Sequence, residues 1–403
     1  MLDPWDALPG EVGFERGQQV ALALAKAGND VVWWHAGFSH AEKRVRSGTF
    51  SVSELFPGVQ LILLPTRSYR DNAGIRRLLS IGDYAWQFML RHRRFPLPDL
   101  LLVEGPIFFS EPVLLWLKIA RKVKLVINFR DLWPEAIINA TPNGLARSLR
   151  RLGFSGAFAM RRLLFRHCDG IISMNAAYLS TARREAGRRW RGLSAVTYPS
   201  PELPRVQGDF PKEKAAGEIW VISSGTLGAS NDHGTLLAAA ALLRDRCSNL
   251  RFVVTGIGQH ADAVRGEILR KNLTNVTYRG VLPPGQFRFL LAECDIGLAL
   301  YRRFSPVEFP TKVVDYLLAG LAVIISGDGE ASTLLVHERA GQSTPPENPQ
   351  VLADLLDRLA GNPDHVAFMR RNAVALSERF EHDRQIDAVV AMLGKLGPGA
   401  TVR

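Results

Sequence analysis

Between Ser305 and Tyr316 the chain reads Ser-Pro-Val-Glu-Phe-Pro-Thr-Lys-Val-Val-Asp-Tyr, a stretch rich in groups able to hold a nucleotide. Pro310 suits the first helical turn, so a helix is predicted to begin near Thr311. Glu308 then stands just ahead of the positive end of that helix. Lys312 lies in the first turn, where a cation is unfavourable unless an anion sits beside it. Asp315 follows about one turn later, where a carboxylate can accept from both hydroxyls of a ribose. Arg302 and Arg303 stand on the preceding loop. Backbone donors, cations and one carboxylate suit a nucleoside diphosphate. The competing reading is a charged helix start on a solvated face.

A second cluster, Phe129-Arg130-Asp131-Leu132-Trp133-Pro134-Glu135, follows the apolar run Lys124–Asn128. Ligands of open α/β sheets gather at the carboxyl ends of strands. There Asp131 can orient or polarise a hydroxyl and Arg130 can pair with phosphate. Alternatively, Arg130 forms an ion pair with Asp131 or Glu135 that caps the next helix. A third feature is the glycine-rich segment Gly10–Gly17, which includes Gly13 and leads into a helix predicted over Gln18–Ala27. Glycines before a helix let backbone N–H groups approach an anion, although such a turn is by itself a weak signal.

Elements that position these residues alternate along the chain. Short apolar runs at Val31–Trp34, Leu61–Pro65, Leu100–Val103, Lys124–Asn128, Gly170–Met174 and Ala195–Tyr198 read as strands separated by helical patterns. After the proline-rich segment Pro199–Pro204 the pattern restarts at Ile219–Ser223, Phe252–Thr255, Val276–Tyr278, Ile296–Leu300 and Ala322–Ser326. This predicts two Rossmann-like α/β domains with parallel sheets. A first strand should precede the loop Asp3–Gly10, yet only Met1 and Leu2 stand there. Either that strand is extremely short or the true start lies upstream, and the second reading is preferred.

The composition, 47% hydrophobic and 22% charged, is that of a globular protein, and 403 residues suffice for two domains. Net charge is +11, which favours an acidic partner. Cys168, Cys247 and Cys294 show no paired spacing and are expected to be reduced and buried. No apolar run reaches the length of a membrane span.

Together these residues resemble the retaining GT-B glycosyltransferases of group 1 (family four), particularly their bacterial cell-surface polysaccharide branch. Gly13-Phe14-Glu15-Arg16 resembles the family's Gly-Ala-Glu-Arg helix opening. Asp131-Leu132-Trp133-Pro134-Glu135 resembles a segment common in that branch, and Phe309–Val323 resembles the end of the family's Glu-x7-Glu motif. Asp315 falls on the motif's second acidic position. Val307 occupies the first, with Glu308 one place along. Gly256-Ile257-Gly258 resembles a Gly-x-Gly turn of the donor domain, and Tyr278-Arg279-Gly280 a strand end near the donor base. The loop Gly225–His233 lacks the arginine and lysine that clamp the diphosphate in the family, so Arg302, Arg303 or Lys312 is expected to substitute.

The resemblance implies a GT-B fold, two Rossmann-like domains with parallel sheets facing across a cleft. Residues 1–200 would bind acceptor and 213–375 the nucleotide-sugar, and the helix within 376–396 would pack back on the first domain. It implies Asp131 and Glu308 as catalytic. Gly13, Arg303, Lys312, Asp315, Gly225, Gly258 and Tyr278 would contact the donor, and Arg130 and Glu135 the acceptor. The reaction would be metal-free and cofactor-free, a retaining front-face transfer from a nucleotide-sugar co-substrate to a lipid-linked sugar acceptor. It would serve exopolysaccharide or lipopolysaccharide biosynthesis. A non-catalytic GT-B partner subunit and a sugar-nucleotide epimerase are the alternatives. Ala146–His167, with six arginines among leucines and phenylalanines, and Leu90–Phe95 suit an anionic membrane surface. The expected location is cytoplasmic, peripheral on the inner face of the plasma membrane. Nucleic acid is not expected as a partner.

Overall fold

The computed structural model of the chain describes residues 1–11, 15–70, 74–105, 108–135, 138, 141, 144–201 and 213–397. It divides into two compact units, Met1–Tyr198 with Asp383–Arg403, and Pro199–His382.

The first unit contains strands β1 (Val31–Ala36), β2 (Ser51–Phe56), β3 (Val59–Leu64), β4 (Leu100–Gly105), β5 (Lys124–Phe129), β6 (Gly170–Ser173) and β7 (Leu193–Val196). They form two ladders, β2-β3-β1 and β4-β5-β6-β7. All pairs are parallel except β2 with β3. Leu2 bridges the ladders, pairing in parallel with Trp34 on β1 and Val103 on β4. Its N–H donates to Leu102 O and its carbonyl accepts from Glu104 N, both at 2.8 Å. A single fully buried leucine thus occupies the short strand position ahead of the loop Asp3–Gly10.

Helices α1 (Arg16–Lys26), α2 (Ile75–Arg91), α3 (Glu111–Ala120), α4 (Leu145–Gly153), α5 (Ser155–His167) and α6 (Ala176–Ala186) accompany this sheet. The helix His382–Gly394 belongs here through its apolar face. Ile386, Val389, Met392 and Leu393 share one core with Val31, Trp33, Val126 and Ile172. The three cysteines are free and buried.

The second unit holds strands β8 (Ile219–Ser224), β9 (Leu250–Thr255), β10 (Val276–Gly280), β11 (Ile296–Ala299), β12 (Ala322–Ser326) and β13 (Gly341–Thr344). Its sheet order is β10-β9-β8-β11-β12-β13, parallel throughout. Helices α7 (His233–Leu243), α8 (Ala261–Arg270), α9 (Pro284–Glu293), α10 (Thr311–Leu318), α11 (Glu330–His337), α12 (Pro349–Ala360) and α13 (Pro363–Ser377) connect the strands. Winding runs outward in both directions from the boundary between β8 and β11. The direction in which successive strands are added reverses there, which makes it the doubly wound sheet's switch point.

Two strands are not continuous apolar runs in the sequence. β2, Ser-Val-Ser-Glu-Leu-Phe, pairs antiparallel with β3 across the Pro57-Gly58 turn, and none of its residues is buried. β13, Gly-Gln-Ser-Thr, is an edge strand whose place comes from pairing with β12.

Candidate active site

The switch point of the second unit is where its charged residues converge. The loops that follow β8 and β11 are joined across it. Asn231 and Tyr301 form an antiparallel bridge, Asp232 N donates to Leu300 O at 3.1 Å, and Arg302 N donates to Ser230 O at 3.0 Å. Two glycine turns line the neighbouring strand ends. Gly225 has φ +102° and Gly256 φ +133°, and a Cβ on Gly256 would stand 1.8 Å from Gly225 O. Only glycine permits that approach. A Cβ on Gly258 would likewise fall 2.4 Å from Leu227 O. The Tyr278 hydroxyl donates to Gly256 O at 2.9 Å, so this tyrosine buttresses the second turn.

Helix α10 starts after Pro310, whose extended backbone and missing N–H suit a helix entry. This start carries Lys312 into the switch point. The side chain is buried, its Nζ donates to Asn231 Oδ1 at 3.0 Å, and it lies 5.4 Å from the centre of the Tyr301 ring. Burial lowers its pKa to about 8, against the pull of Asp315. Asp315, one turn on, is pushed up to about 7 by burial, with Lys312 opposing. A cation at the positive end of a helix, held out of water, creates a local positive potential that an anion would relieve.

His233 opens α7 on the same edge. Burial lowers its pKa to about 4, reinforced by the positive charges of Lys312, His260 and Arg302. Its buried Nε2 has no hydrogen-bond partner. An orphaned buried nitrogen costs free energy that a ligand acceptor or donor would recover. Nothing in the sequence pattern marks His233 or Asn231, because each gains meaning only from residues some 80 positions away.

Arg303 of the expected donor set, and Glu308, expected to be catalytic, make other contacts. Arg303 is 77% exposed and approaches Glu347 at 3.8 Å. Glu308 caps α11: its Oε2 accepts from Glu330 N and its carbonyl from Ala331 N, both at 3.1 Å. Tyr316 is fully buried, and its hydroxyl accepts from Ser224 N at 2.8 Å. Gly297, where a Cβ would stand 2.3 Å from the Tyr316 ring, makes room for it. Gly13 lies outside the described residues.

In the first unit the residues after β5 part company. Asp131 is exposed. Arg130 turns inward to Asp6 at 2.7 Å and Glu104 at 3.4 Å. Asn128 Nδ2 donates to Glu104 at 2.8 Å, and Asp6 also accepts from Gly17 N at 2.7 Å. Burial, Asp6 and the neighbouring Glu104 raise the Asp3 pKa well above the usual carboxylate range, and burial raises that of Glu104. Glu135 pairs with Arg161 at 2.6 Å, and Arg161 also holds Glu185 at 2.5 Å. Glu104, the one acidic residue in an apolar strand, was the available sequence signal for the buried network.

The architecture, two α/β units with doubly wound parallel strands in the second, is that of a GT-B fold. Comparison with known proteins agrees. The family model of glycosyl transferases group 1 matches residues 207–375, a stretch that falls in the second unit. A probable glycosyltransferase of Pseudomonas aeruginosa, WbjE, is 28% identical over 139 residues, 34% of each chain. That alignment therefore spans about a third of the relative's length. Sucrose-phosphate synthase from Thermosynechococcus elongatus superposes with TM-score 0.73 and 15% identity, covering 98% of this chain and 99% of that one. Anabaena HepE in complex with UDP gives TM-score 0.67 and 17% identity over 98% and 99%.

Proposed function

We propose that this protein is a retaining glycosyltransferase that moves a sugar from a uridine diphosphate donor to a lipid-linked saccharide. The observation that carries the reading is Lys312, a buried cation at the switch point whose charge a diphosphate would neutralise. HepE, of the same fold, has been seen with UDP, which supports uridine as the base. Asp315 accepts from the ribose hydroxyls, and the glycine turns admit the backbone to the phosphates. His233 Nε2 hydrogen-bonds the donor, and Asp131 orients the incoming hydroxyl. The reaction is a front-face transfer. The acceptor oxygen bonds to the anomeric carbon as the bond to the diphosphate breaks, and the departing diphosphate takes the acceptor proton. Catalysis then rests on positioning and on charge stabilisation, with no divalent metal required. Calorimetry on the full chain is expected to show UDP binding in the micromolar range, and UDP-sugars to be consumed in the presence of a membrane fraction. If none of UDP, GDP and ADP binds, the donor site does not exist. Because the loop Gly225–His233 carries no lysine or arginine, a non-catalytic nucleotide-binding subunit is the second reading. Tight UDP binding with no sugar transfer to any membrane acceptor would favour it.

We propose also that the enzyme works on an anionic membrane surface, reached through α4. No residue of this helix is buried, and Leu145, Leu149 and Leu152 lie 76%, 58% and 70% exposed at helical spacing. Residues 144–167 contain six arginines and no carboxylate. An apolar stripe flanked by cations suits insertion among anionic headgroups. No helix among the described residues is long and apolar enough to cross a membrane. Leu149→Glu with Leu152→Glu is expected to cut cosedimentation with phosphatidylglycerol vesicles at least fivefold. Undiminished cosedimentation would remove α4 from the contact.

A further inference from the structure

The carboxyl edge of the first unit's sheet carries a cluster that neither the fold nor the family match explains. Trp5 comes from the loop after Leu2, His40 and Lys43 from the segment after β1, Tyr69 from the segment after β3, Arg77 from the first turn of α2, and Trp133 from the segment after β5. The Arg77 guanidinium lies 5.4 Å from the ring centre of Trp5 and 4.6 Å from that of Trp133, bracketed by two indoles. Trp5 meets His40 edge-on at 5.9 Å. The His40 Nδ1 and the Tyr69 hydroxyl are 2.6 Å apart, and Lys43 Nζ stands 4.7 Å over the Tyr69 ring.

Three physical points follow. Cations stacked on aromatic faces are fixed in orientation, so little entropy is lost when they engage an anion. Stacking occupies the flat face of a guanidinium, while its N–H groups radiate in the plane, the direction that bidentate phosphate contacts use. Aromatic rings of intermediate exposure offer apolar faces that match the C–H face of a pyranose ring, with hydroxyl and imidazole groups at their margins. Trp5, His40, Arg77 and Trp133 are all partly exposed, and Tyr69 forms the buried wall behind them. Burial, Arg77 and Lys43 push the His40 pKa down to about 3, so the imidazole is neutral and adds no competing charge. Asp131, the exposed carboxylate two residues before Trp133, is close enough for Arg77 to feel its charge.

We propose that Trp5, His40, Lys43, Tyr69, Arg77 and Trp133 form the acceptor subsite, and that the acceptor it takes is a saccharide carrying a phosphate or pyrophosphate at its reducing end. The indoles stack on the sugar, Arg77 and Lys43 take the phosphate, and Asp131 stands where it can receive a hydrogen bond from the nucleophilic hydroxyl. This assignment rests on the glycosyltransferase reading, with the donor held separately by the second unit. The shared ligand chemistry, a sugar joined to phosphate, has two sources: a soluble sugar phosphate and a polyprenyl diphosphate carrier.

Calorimetry on the full chain tests it with α-glucose 1-phosphate, N-acetylglucosamine 1-phosphate, a short-chain polyprenyl diphosphate saccharide in detergent, and glucose as the neutral control. At least one anionic saccharide is expected to bind ten or more times tighter than glucose. Arg77→Gln and Trp133→Ala should each weaken it at least tenfold while UDP affinity stays within twofold. Trp133→Phe and Arg77→Lys, which keep a ring or a charge and guard against misfolding, should lose less than their partners. Preference for the polyprenyl arm assigns the lipid carrier, and equal affinity assigns the sugar phosphate itself. Anionic and neutral probes binding alike, or all four variants binding like wild type, would overturn the subsite. Wild-type protein that binds the anionic saccharides but no nucleotide would instead overturn the donor reading and leave the subsite standing.

Discussion

Lys312→Met is expected to lower kcat/KM for sugar transfer by about 100- to 1000-fold, the loss typical of removing one pre-organised group that stabilises developing charge. Nucleotide affinity falls with it, since the ammonium is the buried cation nearest the proposed diphosphate. The same substitution should stabilise the empty protein. The Lys312 pKa lies at about 8, below the ordinary lysine value of 10.5, so between those values the folded state releases a proton that the unfolded state keeps. Below pH 8 the charged lysine therefore costs stability, on the order of 1–3 kcal/mol, and the cost disappears as pH rises from 8 towards 10.5. Thermal denaturation without ligand should show Lys312→Met above wild type at pH 7, with the gap closing by pH 10. A variant that lost both stability and binding would mean that the lysine is a packing element. Asp315 adds the other limb. Its pKa of about 7 makes it a carboxylate, able to accept from both ribose hydroxyls with both oxygens, as pH rises past that value. UDP affinity should peak between about pH 7 and 8 and fall on both sides, and Asp315→Ala should flatten the acid limb.

Arg130→Ala should destabilise the protein by about 3–5 kcal/mol, the cost of stripping the counter-charge from buried carboxylates. Asp3, Asp6 and Glu104 are all within 2% of full burial, and Arg130 lies against Asp6 and Glu104. Their attraction outweighs desolvation and holds the guanidinium firmly charged. The pH sign is opposite to the usual acid denaturation. Asp3 and Glu104 already have raised pKa values in the fold, so the folded state binds more protons than the unfolded one above about pH 4. Stability of the variant should therefore fall as pH rises through that range and recover in part on acidification. Urea titrations of the full chain between pH 4.5 and 8 would read this. If Arg130→Ala kept its stability and instead raised the acceptor KM, the arginine would be an acceptor contact and the network incidental.

Much of the fold was legible because it rests on local repetition. Strands such as Lys124–Phe129 and Ile219–Ser224 are apolar runs buried on both faces, and helices between them announce a parallel sheet without reference to anything distant. The antiparallel β2 escaped detection because none of its residues is buried and polar residues interrupt its apolar ones, so no continuous apolar run marks it. Site residues divide along the same line. Pro310, Lys312 and Asp315 sit within one helix start, so their spacing alone speaks for an anion and a sugar ring. Arg130 and Glu135 sit just as suggestively after a strand, yet partners far along the chain engage them, Asp6 and Glu104 for one and Arg161 for the other.

By itself, then, the sequence determined the α/β alternation, the glycine turns and the charged helix entry, all set by backbone sterics and short-range periodicity. Only the tertiary structure decided which charges are spent internally and which face a ligand. It brought Asn231 to Lys312 across 81 residues and put the Arg77 guanidinium between Trp5 and Trp133. Those choices depend on desolvation and on distances between loops of different strands, and neither quantity exists until the sheets are assembled.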